Sequence, residues 1–321
     1  MSAPTARGTT WVTLRQHRTA LWAALFLLIA ASVVMTGVRW WEAAASDRAF
    51  CLDVTQSERC GTGPWGHASA MEMLRLTGMY GSVALLLLPL VAAAFVAGPL
   101  IAREFQSGTW RLALTQSVTP VRWFTTKLAV AAVVVLCGTV ALVLAYRAAW
   151  DPVAGTHDLG WPDRGVFEAT GPVLVAYGLL AVAVGGLVGQ WIRRTLPAMS
   201  AAGLVTGTVM LVLGSLRWQW IPVKTLTGPF PSDPLRLAPE AFLTESGFLT
   251  ADGGRLPHDA CWQRTHDLGD CPADLNITGR FADYHPYAHY WQTQLVETGI
   301  VLALAAVAAY AAIRIFRRRH A

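Results

Sequence analysis

Residues Ile101–Lys127 read IAREFQSGTWRLALTQSVTPVRWFTTK and lie between two long apolar runs, Gly78–Leu100 and Leu128–Tyr146. The stretch holds the basic residues Arg103, Arg111, Arg122 and Lys127 against one acid, Glu104. A basic loop between two membrane spans belongs on the cytoplasmic side. This loop is also patterned. Gly108 is placed to break the helix leaving the first run. From Thr109 to Thr115, Trp110, Leu112 and Leu114 alternate with Thr109, Arg111 and Ala113. Ser117, Thr119 and Pro120 end that segment, and Val121–Lys127 leads into the second run. Trp110 and Trp123 bracket a short apolar segment, as interfacial anchors do.

The rest of the chain extends this reading. Of 321 residues, 54% are hydrophobic and only 14% charged, against roughly 25% charged in soluble domains. Six apolar runs approach the ~20 residues that a spanning helix needs: Thr19–Val38, Gly78–Ile101, Leu128–Ala148, Pro172–Ile192, Ala198–Leu216 and Leu295–Ile313. The expected fold is an all-α membrane protein, one transmembrane domain over 1–321 with six helices and a long outside segment at 217–294. The first run is too long for a signal-peptide core of 7–15 residues. Orientation follows Lys and Arg in short loops. Arg7, Arg15, Arg18, Arg103, Arg111, Arg122, Lys127, Arg193, Arg194, Arg314, Arg317, Arg318 and Arg319 fall on one side, with Glu104 as the one acid among them. That side is expected to be cytoplasmic, with both termini, in a cell membrane. Topology accounts for the basic balance, so nothing points to nucleic acid.

REFQSGTWRLALTQSVTPVRWFTTKL resembles the first cytoplasmic loop of type-2 ABC-exporter permeases. That family shows an Arg-Glu pair leaving the second span and a Gly-Thr step. A short apolar segment, a Ser or Thr followed by Pro or Arg, and a Lys opening the third span come next. Here those are Arg103, Glu104, Gly108, Thr109, Leu112–Thr115, Thr119–Arg122 and Lys127. The resemblance implies a coupling helix that docks on a separate ABC ATPase, with Trp110, Leu112, Leu114 and Arg122 among its contact residues. It implies two permease copies, or this chain and a related one, around an export path in the lipid bilayer. ATP and magnesium would sit on the partner ATPase and no cofactor on this chain. It also implies a connecting helix near Thr9–Arg18, where Trp11, Val12 and Leu14 suit a helix lying in the interface.

No Gly-x-x-x-x-Gly-Lys-Ser/Thr phosphate loop occurs in the sequence, so this chain is not expected to hydrolyse ATP by that mechanism. No ionisable residue lies at a span centre, unlike the buried charges of many ion-coupled carriers; Glu297 is nearest, toward the end of span six. Cys51 with Cys60, and Cys261 with Cys271, form local pairs on the outer face and predict two disulfides, leaving Cys137 free. Ala181, Gly185 and Gly189 in span four, and Gly203 and Gly207 in span five, are stripes that allow close helix packing. Pro89 and Pro99 predict a kink in span two. In the outside segment, Trp218–Pro222 and Ala238–Leu243 read as short helices at the membrane surface. His258, His266, His285 and His289 lie there too. A zinc site would need a third ligand that the spacing does not supply, and surface histidines with no metal are the expectation. Two other functional readings fit the sequence. One is a polytopic enzyme using the His/Asp residues of 258–289 at the outer face, and the other is an outer-face sensor or scaffold. Finally, Glu104 is expected to face inward, accepting hydrogen bonds from the loop backbone or from an arginine of a neighbouring cytoplasmic segment.

Overall fold

The computed structural model describes residues 18–48, 66–108, 119–151, 159–230, 235–266 and 271–320. The chain divides into two compact units, Met1–Arg217 with Gln294–Ala321, and Trp218–Thr293.

The first unit is helical. Its elements are α1 (Arg18–Arg48), α2 (His67–Val91), a π-helical segment (Ala92–Ala97), α3 (Gly98–Ser107), α4 (Pro120–Trp150), the short α5 (Val166–Thr170), α6 (Val173–Ile192), α7 (Thr195–Leu216) and most of α9 (His289–His320). Among the described residues, five helical stretches are long and apolar enough to cross a membrane: Ala68–Ser107, Pro120–Trp150, Val173–Ile192, Thr195–Gln219 and His289–Arg319. They cover the second to sixth predicted runs, and α1 covers the first. The helical stretch that covers the second run begins about three turns before Gly78, because the segment from Ala68 continues the same helix. The predicted interfacial segment before Arg18 lies outside the described residues.

Helix α6 is the centre of this unit. Of its most apolar stretch 78% is buried, against 17–33% for the other four. Its small residues make that position possible. A Cβ on Gly185 would lie 2.3 Å from the Ala97 Cβ, one on Gly186 2.5 Å from Leu128, and one on Gly189 3.0 Å from the Gly98 carbonyl oxygen. Ala181 is fully buried. On α7, a Cβ on Gly207 would come within 2.9 Å of Leu90, while Gly203 has ordinary room beside Ala94. The face opposite α6 is the π segment, Ala92-Ala93-Ala94-Phe95-Val96-Ala97. Pro89 removes one backbone donor just before it and Pro99 another just after, and the ladder shifts to the wider turn between them. Gly185→Ala should therefore lower the thermal stability of the purified protein by about 1–3 kcal/mol. Gly214→Ala, at a glycine with nothing within 4 Å, is the control and should not.

The second unit corrects the all-α expectation. It contains a four-stranded antiparallel sheet in the order β1-β4-β2-β3, built from β1 (Lys224–Pro229), β2 (Phe242–Thr250), β3 (Arg255–Pro257) and β4 (Ile277–His285). Trp218–Pro222 holds only the end of a 3₁₀ turn, Arg217–Gln219, and the 238–241 segment is a turn that leads into β2. The strand signal is a period of two: on β4, Gly279, Phe281, Asp283 and His285 share one face, and all four are buried. Prolines and charges around the strands obscure that alternation. A short helix α8 (Trp262–Thr265) follows Cys261, which is bonded to Cys271. Cys51 and Cys60 lie outside the described residues, and Cys137 is free and exposed.

The histidines of this unit separate into two kinds. His258 and His266 are exposed. His285 and His289 are buried, with their Nδ1 atoms 3.0 Å apart, which corrects the surface expectation for these two. Pro286 keeps His285 at the end of a strand rather than on a helix face, and a tight turn then brings His289 back against it. No group of three or more metal-ligating side chains occurs among the described residues. Trp218 and Phe242 flank the His285 ring at centroid distances of 5.7 and 6.3 Å. Burial, and then the neighbouring His289, push the His285 imidazolium below its ordinary value. The unfolded chain, with a histidine near 6.5, then binds more protons than the folded one just below that pH. Stability from this residue is complete above about pH 6.5 and is lost as the pH falls through the depressed folded value. Once the intrinsic pH dependence of amide exchange is divided out, protection in β4 should fall between pH 7.5 and pH 5 in the wild type. In His285→Phe that loss of protection should shrink.

Candidate functional site at the root of the 101–127 loop

Residues 109–118 lie outside the described structure, and Thr109, Trp110, Leu112 and Leu114 with them. The two roots of the loop are described. Helix α3 ends at Ser107, and Gly108 caps it in the left-handed conformation with φ 73°. Helix α4 starts at Pro120, a favoured first helical residue because the missing N–H would have been unpaired there.

Glu104 joins the two roots. Its carboxylate accepts a hydrogen bond from the Lys127 ammonium, forming an ion pair between α3 and α4. The inward-facing carboxylate thus has a lysine on the far root as its partner, not an arginine or the loop backbone. Lys127 is nearly sealed from solvent, with 4% of its side chain exposed against 20% for Glu104. The ammonium also lies 4.8 Å from the centroid of the Trp123 ring. Arg103 and Arg122 are exposed.

Beneath the ion pair is an apolar cluster of Leu100, Ile101, Trp123, Phe124, Leu128, Val182, Ala312 and Phe316, from α3, α4, α6 and α9. Phe316 is its hub. It stacks on Phe124 at 4.5 Å and on Trp123 at 6.0 Å, and meets Phe105 at 6.5 Å. Gln190 Nε2 of α6 donates to the Ala312 carbonyl of α9 at 3.0 Å just above. On the other side of α3, Gln106 Oε1 accepts from the backbone N–H and the hydroxyl of Thr195, at 2.9 and 2.6 Å. The guanidinium of Arg193 lies 5.5 Å from the Phe105 ring. Both termini of the loop are therefore fixed into the helical unit by charge, aromatic stacking and hydrogen bonds. Gln106, Thr195 and Phe316 carried no sequence signal, because each is ordinary in composition and becomes informative only when its partner is known.

A second polar constellation lies at the other end of α6. Arg217 is buried and forks onto two buried carboxylates. Its Nε donates to Glu297 Oε2 at 2.6 Å, and its Nη2 donates to Glu297 Oε1 at 3.0 Å and to Glu168 Oε1 at 2.5 Å. The Tyr177 hydroxyl donates to Glu297 Oε1 at 2.6 Å, and the Gly165 backbone N–H donates to Glu168 Oε2 at 2.7 Å. The guanidinium rests over Phe167 at 3.9 Å. Gln294 completes the region, donating to the Phe167 carbonyl at 2.6 Å and accepting from the Val173 N–H at 3.4 Å. Each carboxylate oxygen of the two glutamates accepts at least one hydrogen bond, which is what allows the charges to stay buried. Glu297, the ionisable residue nearest a span centre in the sequence, is thus paired inside the unit. Arg217 and Glu168 flank predicted spans in the sequence, and only folding brings them to it.

Residues 23–217 match the sequence profile of the family described as ABC-2 membrane transporter related. No curated protein and no solved structure matches the chain significantly. The match ends at Arg217, where the helical unit gives way to the sheet unit.

Proposed function

The chain belongs to the ABC-2 membrane transporter related family, and from that premise we propose that it is the permease subunit of an ABC exporter, driven by a separate ATPase through the 101–127 loop. The observation that carries the coupling role is the ion pair of Glu104 with Lys127, which closes the two roots of the loop into one body. A loop that docks on an ATPase transmits force only if it does not slip against the helices it must move. The ion pair, the Phe316 stack and the Gln106–Thr195 bonds supply that rigidity. In this reading the loop and both termini face the cytoplasm, where Arg103, Arg122, Arg193, Arg194 and Arg317–Arg319 gather by the positive-inside rule. The first helix completes six spans, and two copies, or this chain and a related one, enclose the path. ATP and magnesium bind the partner, which supplies the phosphate-loop motif that is absent from this sequence. The sheet unit then faces outside, the side on which a bonded Cys261–Cys271 pair persists.

Purification from membranes in a mild detergent tests the reading. The chain should co-purify with an ABC ATPase in a fixed ratio, and the complex should hydrolyse ATP in a vanadate-sensitive manner. A stable, fully folded chain that never associates with an ATPase would overturn it.

A further inference from the structure

Three consecutive residues at the end of α3 reach three different places. Glu104 pairs with Lys127 of α4, Phe105 meets Phe316 of α9, and Gln106 binds Thr195, the first residue of α7. The 3.6-residue period explains the fan, since successive side chains leave a helix about 100° apart. The Gln106 contact differs from the other two in what it touches. Thr195 follows the tight turn made by Arg193, whose φ of 55° ends α6, and Arg194, which precedes α7 without capping it by its side chain. The N–H of the first helical residue is one of the donors that a helix leaves unpaired. Local residues usually satisfy such donors. Here the acceptor comes from a helix 89 residues earlier, and the same oxygen also takes the Thr195 hydroxyl. The turn it holds is the hinge of the hairpin containing α6, the most buried helix of the unit. The packing alongside is close, because a Cβ on Gly98 of α3 would stand 3.2 Å from the Ala198 carbonyl oxygen of α7.

We propose that Gln106 is a positioning residue which delivers movement of the 101–127 loop to the α6–α7 hairpin, a route separate from the one Glu104 provides to α4. The proposal rests on the coupling role argued above. Its geometry is that of a two-pronged acceptor at a hairpin turn. If the loop shifts, Gln106 pulls the N-terminus of α7 with it, and the α6 C-terminus follows through the two-residue turn. A glutamate would serve the same purpose, since its carboxylate offers the same acceptor to both donors. A leucine would not.

The test uses the full chain with its co-purified ATPase in nanodiscs, read by hydrogen exchange with and without ATP–vanadate trapping. In the wild type, trapping should change exchange in the peptides that begin α4 and α7. Gln106→Leu should abolish the nucleotide-dependent change at the start of α7 and preserve that at the start of α4. The trapped and free states at the start of α7 should then agree, where the wild type differs by about fivefold, the protection one ordinary hydrogen bond gives. Gln106→Glu should restore the wild-type response. Glu104→Gln should show the converse, losing the response in α4 and keeping it in α7. A merely structural cap would raise exchange at α7 equally in both nucleotide states and leave their difference intact. That result, or an unchanged α7 response in Gln106→Leu, overturns the proposal and leaves the coupling role of the loop standing. No nucleotide-dependent change in either peptide of the wild type would instead remove the coupling role itself, and this proposal with it.

Discussion

Arg217→Met is expected to destabilise the helical unit by about 3–5 kcal/mol, the cost of leaving buried charges without their partner. The guanidinium pairs with both Glu168 and Glu297, and both carboxylates are buried. Removing it sets two carboxylates against each other in a site closed to water. Arg217→Lys should recover only part of the loss, because a single ammonium cannot reproduce a fork that donates through Nε and Nη2. The triple variant Glu168→Gln, Arg217→Met, Glu297→Gln should be closer to wild type than Arg217→Met alone, since no uncompensated charge remains. Thermal unfolding in detergent gives the order. If Arg217→Met unfolds with the wild type, the cluster does not hold these helices together.

The second large effect concerns Glu104. Glu104→Gln leaves the Lys127 ammonium, 4% exposed, without a carboxylate, and should cost about 2–3 kcal/mol. Lys127→Met should cost less, because Glu104 keeps more access to water. The two changes together should be milder than Glu104→Gln alone, and the double-mutant cycle measures their coupling directly. An exposed pair would give about 0–1 kcal/mol, so a coupling energy in that range would contradict a rigid root. The burial of Lys127 is what separates the two outcomes, and it arises from Trp123 and the aromatic cluster below.

Much of this architecture was legible in the sequence, for physical reasons. Apolar runs of spanning length announce themselves. The glycines of α6 announced close packing, since no other residue lets backbones approach so far. The loop motif could be read because its polar and apolar residues lie together in the chain. Three things could not be read. The sheet of Trp218–Thr293 is made of short strands whose partners are distant: β1 pairs with β4 across most of that unit. Alternation over six to nine residues, broken by proline and glycine, is a weak signal beside a 20-residue apolar run. The Arg217 network joins residues 49 and 80 positions apart, each of which looks like an ordinary charge at a span end. The burial of His285 and His289 follows from a Pro286 turn that places a strand terminus against a helix start, a meeting that the sequence spacing does not display.

The exporter role proposed for this chain requires the 101–127 loop to touch an ATPase. A photo-crosslinking amino acid placed at Trp110 in the full chain, in membranes, measures that contact without knowledge of the transported substrate. Illumination should join this chain to an ABC ATPase, in a yield that changes when ATP and vanadate are added, while the same group at Tyr310, exposed on α9, should give lipid adducts. Crosslinks from Trp110 to lipid alone, in membranes where the ATPase is present, would contradict the account.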